Sequence, residues 1–144
     1  MDIDKKMKIL IVDDMQPVRQ ALANILRVYG FSNIAYASNG QLALDALRGK
    51  KPELILLDWN MPKMTGIEFL RELRVMDGYE DVPVVMVTAE NNAERVREAI
   101  KEGVSGYLIK PFSPNDIKER LSAVLGVELE EESAKKTPDL YIPS

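Results

Sequence analysis

The chain has 144 residues, 46% of them hydrophobic, and a formal charge of −4 with a pI near 5.0, which leaves room for one ordinary domain with a sizeable apolar core. The acidic balance argues against a general binder of nucleic acid or of membrane surfaces, since such proteins carry a basic face. Cysteine and histidine are both absent, which excludes disulfides, thiolate or His-ligated zinc, Ser-His and Cys-His couples, and phosphohistidine on this chain, and suits a reducing cytoplasm.

Met1 to Lys8 mixes acids with lysines, and the apolar run after it is too short for a signal peptide or a membrane span, so the chain reads as intracellular. That run, Ile9-Leu-Ile-Val12, has strand length and is followed by Asp13-Asp14. Helical spacing follows in Val18, Ala21, Leu22, Ile25, Leu26 and Tyr29, with Pro17 in the first turn, where its missing N–H costs nothing. Four more strand-length runs come at intervals: Ile34 to Ala37, Leu54 to Leu57 with Asp58 after it, Val84 to Val87 with Thr88 after it, and Tyr107 to Ile109 with Lys110-Pro111 after it. Ile117, Leu121, Val124 and Leu125 form the last helical pattern, and Gly30, Gly49, Gly78, Gly103 and Gly126 each fall near the end of one such pattern, as helix-closing residues do. Most of the strands are continuously apolar rather than alternating, which a sheet covered on both faces requires. The expected fold is therefore α/β: a doubly wound parallel sheet of five strands with five helices, its ligand site beyond the carboxyl ends of the strands.

Past Gly126 the character changes. Residues 127–144 hold Glu128, Glu130, Glu131 and Glu132, then Lys135-Lys136 and a proline-punctuated end, a net −3 that leaves about −1 for the rest. The expected division is a globular domain over 7–126 and an acidic tail over 127–144, read as a flexible solvated segment or, alternatively, as a docking peptide built on Leu140-Tyr-Ile142.

Singly, the residues past the strands are ordinary: Asp13-Asp14 suits a turn and helix cap, Asp58 a turn, Thr88 a cap for a helix beginning near Asn91, and Lys110-Pro111 a loop. Jointly they place three carboxylates, a hydroxyl and an ammonium at one sheet edge. Three neighbouring carboxylates repel one another unless a cation neutralises them. Oxygen donors without His or Cys select a hard cation, and Mg²⁺ suits best because it keeps waters for an incoming phosphate. Phosphoryl transfer needs mainly positioning and charge neutralisation. The set matches that demand: Asp58 as nucleophile, Asp14 as a metal ligand, Asp13 as a ligand or holder of metal-bound water, and the Asn60 carbonyl to complete the site. Thr88 and Lys110 would then donate to the phosphoryl oxygens.

Over about residues 7–126 the sequence strongly resembles the receiver domains of two-component response regulators. The resemblance rests on Ile9-Leu-Ile-Val-Asp-Asp14, Leu56-Leu-Asp-Trp-Asn-Met-Pro62 with Gly66, Val87-Thr-Ala89 and Gly106-Tyr-Leu-Ile-Lys-Pro-Phe112. It implies a flavodoxin-like fold with strand order 2-1-3-4-5, Asp58 as phosphoacceptor and a cis Lys110–Pro111 peptide. Self-phosphorylation from small donors and hydrolytic loss of the phosphoryl group follow too, with no turnover of an external substrate. Asp-Trp-Asn-Met-Pro, Thr88-Ala-Glu90 and Ser105-Gly-Tyr107 are most similar to the stand-alone chemotaxis receivers, the CheY-like group. That likeness implies a cytoplasmic, monomeric regulator with a sensor histidine kinase as donor and an effector such as a flagellar motor switch.

By the same resemblance, Thr88 moves toward the phosphoryl group and Tyr107 turns into the vacated space, while Asn60 and Glu90 border the path of the hydrolytic water and tune phosphoryl lifetime. On residue type alone Tyr107 also suits a half-buried strand aromatic, and Asn60 and Glu90 solvated loop positions. Trp59 is either a reporter beside the metal or a packed loop aromatic; Met61, Met64 and Met86 read as packing. Two alternatives remain: a receiver of another phosphorelay, passing phosphate to a histidine phosphotransfer protein or controlling an enzyme by contact, and a small flavodoxin-like enzyme. The second is disfavoured. The first βα loop lacks a Ser/Thr-Gly flavin cradle, no Walker lysine loop exists, and a dehalogenase-type phosphatase needs Asp-x-Asp where this chain has Asp13-Asp14-Met15.

Overall fold

The structure, a computed structural model, describes residues 3–132. Ten elements alternate: β1 (Ile9–Val12), α1 (Gln16–Val28), β2 (Ile34–Ala37), α2 (Gly40–Ala46), β3 (Leu54–Leu57), α3 (Gly66–Arg74), β4 (Val84–Thr88), α4 (Ala93–Lys101), β5 (Gly106–Ile109) and α5 (Pro114–Leu125). The strands pair in parallel in the order β2-β1-β3-β4-β5, the expected order.

Because side chains alternate across a strand, each apolar run feeds two cores. Ile9, Ile11, Leu54, Leu56, Val85 and Val87 pack with α1 and α5 on one face. Leu10, Val12, Ile55, Leu57, Val84 and Met86 pack with α2 and α3, and with Ala99 of α4, on the other. This two-sided demand is why β1, β3 and β4 carry no polar residue before their carboxyl ends. The edge strands relax it: β2 exposes Tyr36 and β5 exposes Ile109.

Helix ends follow local chemistry. Thr65 and Ser113 each form a capping box, with Glu68 and Asp116 reaching back to the cap N–H. Pro17 sits in the first turn of α1. Of the five glycines expected to close helices, four have left-handed φ, and Gly49 does not.

Two expectations are corrected. Thr88 is the last residue of β4 rather than the residue past it, and it does not cap α4; Asn92 does, accepting from the Arg95 N–H at 2.8 Å. Nor does the chain leave the body at Gly126. Leu129 is 2% exposed within the α1/α5 core, its N–H donates to the Ser122 hydroxyl at 3.2 Å, Glu128 pairs with Lys118 at 3.0 Å, and Glu132 lies 3.9 Å from Lys5. Among the described residues past Gly126, the glutamates hid a buried Leu129, with Val127 packed against the same core. The docking peptide read at Leu140-Tyr-Ile142 lies outside the described residues.

Among the described residues no helix is long and apolar enough to cross a membrane. Met61 and Met86 are core residues and Met64 packs against them, as their type suggested.

Candidate functional site

Strand register brings the candidate residues together. Val12 pairs with Leu57, Leu57 with Met86, and Thr88 with Ile109, so Asp13, Asp58 and Lys110 leave the sheet at one edge, beside Thr88. The Asp58 N–H donates to the Val12 carbonyl at 2.9 Å and the Lys110 N–H to the Thr88 carbonyl at 2.8 Å, which extends the ladder one step into the site.

Both carboxylate oxygens of Asp13 are engaged by this chain. One carboxylate oxygen accepts the Met15 N–H at 2.9 Å, the turn role, while the other accepts from Lys110 Nζ at 2.8 Å. Lys110 Nζ also lies 3.5 Å from Asp58 Oδ2. Asp58 is 6% exposed, and its Oδ1 accepts the Trp59 N–H at 2.8 Å. Asp14 is exposed. One oxygen from each of Asp13, Asp14 and Asp58 lies within 4.8 Å of the others. Three oxygen donors against a single ammonium leave the pocket negative, and this donor set fits a hard divalent cation.

Burial pushes the Asp58 carboxyl above the ordinary carboxylate range; the Thr88 hydroxyl and the Lys110 ammonium pull it back, and Asp13 adds to the rise. A cation brought beside it would reverse the balance.

The loop after Asp58 turns tightly. The Gly66 N–H donates to the Trp59 carbonyl at 2.8 Å, and a Cβ at Gly66 would meet the Asp58 carbonyl oxygen at 2.0 Å. Only glycine lets α3 start so close to the Asp58 backbone. The Lys110–Pro111 peptide is cis.

A second layer lies just outward. Asn60 Nδ2 donates to Glu90 Oε2 at 2.7 Å, and the Glu90 N–H donates to the fully buried Thr88 hydroxyl at 3.3 Å. The Tyr107 hydroxyl donates to the Glu90 carbonyl at 2.7 Å, so the ring is turned toward the body; burial, and after it the Glu90 charge, pushes the phenol up to about 12. Glu90 thus joins Thr88 to Tyr107 through its own backbone. Trp59 is buried against the α2/α3 core, the packed alternative, yet it directly follows Asp58.

Sequence reasoning missed Arg95. Its guanidinium stands 5.0 Å from the centroid of the Trp59 ring and its Nε 3.7 Å from Glu90 Oε1. No local pattern signals it: an arginine in the first turn of an exposed helix reads as solvated, and its partners come from two other loops.

Comparison with known proteins agrees with this geometry. The family described as response regulator receiver domain matches residues 9–122. The chain is 43% identical over 118 residues to the chemotaxis protein CheY of Pseudomonas aeruginosa, covering 82% of this chain and 95% of the relative. It is 41% identical over 122 residues to CheY-3 of Vibrio cholerae, covering 85% and 94%. Among solved structures, Vibrio cholerae chemotaxis protein CheY4 superposes with a TM-score of 0.77 at 34% identity, covering 83% of this chain and 98% of that one.

Proposed function

The chain belongs to the response regulator receiver domain family, and from that premise we propose that Asp58 accepts a phosphoryl group from a phosphohistidine on a sensor histidine kinase, and that the altered surface binds an effector. The observation that carries this reading is the convergence of Asp13, Asp14 and Asp58 with Lys110 Nζ at one strand edge.

In the forward step an Asp58 carboxylate oxygen attacks phosphorus as the phosphorus–nitrogen bond to the donor breaks, and the bonding pair stays with the imidazole nitrogen. Lys110, already between Asp13 and Asp58, neutralises one phosphoryl oxygen, and the Thr88 hydroxyl donates to another. Mg²⁺, held by Asp13, Asp14, Asp58 and the Asn60 carbonyl, supplies the remaining positive charge when bound. In the reverse step the oxygen of a water bonds to phosphorus while the phosphorus–oxygen bond to Asp58 breaks, releasing inorganic phosphate and restoring the carboxylate. No external substrate is turned over, so the chain acts as a signal carrier and not as an enzyme.

The readout runs through Glu90. When the Thr88 hydroxyl is drawn to the phosphoryl group it gives up the Glu90 N–H, and the Glu90 carbonyl carries Tyr107 with it. The face formed by α4, β5 and α5 changes as a result. The relatives' names favour chemotaxis, and the resemblance of the sequence motifs adds a motor-switch effector in the cytoplasm to this reading.

Intact mass is the test. Incubation with Mg²⁺ and a small phosphodonor is expected to add one labile phosphoryl group, and the addition should vanish with Asp58→Asn or with a chelator. A wild-type chain that stays unmodified under those conditions removes the reading. Co-purification of the phosphorylated form with motor components tests the chemotaxis part separately.

A further inference from the structure

Arg95 gains little from its helix. It lies in the first turn of α4, and its side chain turns back over the site, onto Glu90 and the Trp59 ring. Glu90 in turn receives Asn60. Asn60 stands two residues past Asp58 and Glu90 two past Thr88, on loops that follow the paired strands β3 and β4. The Asn60–Glu90 bridge therefore spans the mouth of the site, just outward of the Asp58–Thr88 pair where a phosphoryl group stands.

Such a bridge has a weakness. Glu90 is anionic and a phosphoryl group on Asp58 is anionic, so modification of Asp58 repels the carboxylate that closes the site. A cation behind Glu90 offsets that repulsion, and one that also stacks on an aromatic face is fixed in direction. Arg95 meets both conditions: its planar guanidinium lies over Trp59, a side chain buried in the core, and its Nε faces Glu90.

We propose that Arg95 is a positioning residue for the phosphoryl chemistry: anchored on Trp59, it holds Glu90 across Asn60 and so restricts the water that hydrolyses the phosphoryl group on Asp58. The inference rests on Asp58 being the phosphoacceptor. It adds a residue from α4, so displacement of α4, as on seating a partner there, changes the lifetime of the phosphoryl group as well as reading it.

The test compares wild type, Arg95→Ala, Arg95→Lys, Glu90→Ala and the Arg95→Ala/Glu90→Ala double variant, each phosphorylated with a small donor and Mg²⁺, with loss of the phosphoryl mass followed after donor removal. Arg95→Ala is expected to speed loss on the order of three- to tenfold, the scale set by one exposed ion pair and one cation–π contact. Arg95→Lys, which keeps the charge but not the planar stack, is expected to fall between. In the Glu90→Ala background the Arg95 substitution is expected to change nothing further, and the Mg²⁺ concentration that half-saturates phosphorylation is expected to stay within about twofold, as a merely unfolded site would not allow. Equal loss rates for wild type and Arg95→Ala, or an undiminished Arg95 effect without Glu90, overturn the inference while leaving Asp58 phosphorylation intact. Failure of the wild type to gain mass overturns both.

Discussion

Asp58 carries a charge that the folded chain, without a cation, disfavours. Burial outweighs the help of Thr88 and Lys110 and raises its pKa above 3.8. The native state therefore keeps a proton over a range where the unfolded chain has lost it, and stability falls as pH rises through that range, after which the penalty is constant. Asp58→Asn removes the group, so with a chelator present the variant is expected to be more stable than wild type at neutral pH. The gap should shrink as pH falls to about 4, near the ordinary carboxylate range. Urea midpoints of the two proteins across that interval check this; parallel curves count against a penalty at Asp58. Adding Mg²⁺ should narrow the neutral-pH gap, since a cation that binds the folded wild-type site adds stability by mass action. At this scale much of the site was legible. Asp13, Asp14, Asp58, Thr88 and Lys110 each stand at or next to the end of an apolar run, and a parallel sheet has only one edge where such ends meet. Arg95 was not, because its meaning depends on Trp59, from a loop distant in sequence, standing beside Glu90.

Among the elements, α4 is the least anchored by apolar packing. Ala99 is its only buried residue, and Ile100 is 61% exposed. Polar contacts to α3 replace the missing core. Arg71 pairs with Glu98 at 2.6 Å and with Glu102 at 3.0 Å, and Arg74 donates to the carbonyl of Gly103, just past α4. The Arg71 pairs are solvated, so Arg71→Ala is expected to leave global stability close to that of the wild type. Its effect should be local instead: amide exchange in α4 is expected to accelerate while β1, β3 and β4 keep their protection. Uniform acceleration across the sheet would show that α4 unfolds only with the whole molecule. The apolar pattern located the strands and the first and last helices well, since their cores are dense. It described α4 poorly because this helix is held by long-range polar contacts, and it missed the half-exposure of β2 and β5 because edge position follows from strand order.

For the molecule as a whole, the described chain continues past α5 onto its own body. Leu129 fills a place in the α1/α5 core, beside Ile117, Leu121, Leu22 and Leu26 in the same cluster, and Lys118 and Lys5 meet the flanking glutamates. Leu129→Ala is expected to cost about 2 kcal/mol, the lower end for a buried leucine, because the segment lies at the rim and can settle. Equilibrium urea unfolding measures it, and an unchanged midpoint would mean that the anchor adds nothing. The sequence by itself determined the class of fold, the two-faced sheet, the edge at which chemistry gathers and the residues that gather there. Hydrophobic period and strand-end position are local properties that any reader of the chain can see. Tertiary structure alone decided that Leu129 belongs to the core, that α4 hangs on arginines, and that Arg95 reaches over Trp59 to Glu90. Those contacts join residues whose local sequence is neutral, and they exist only after the strand order has set which loops are neighbours.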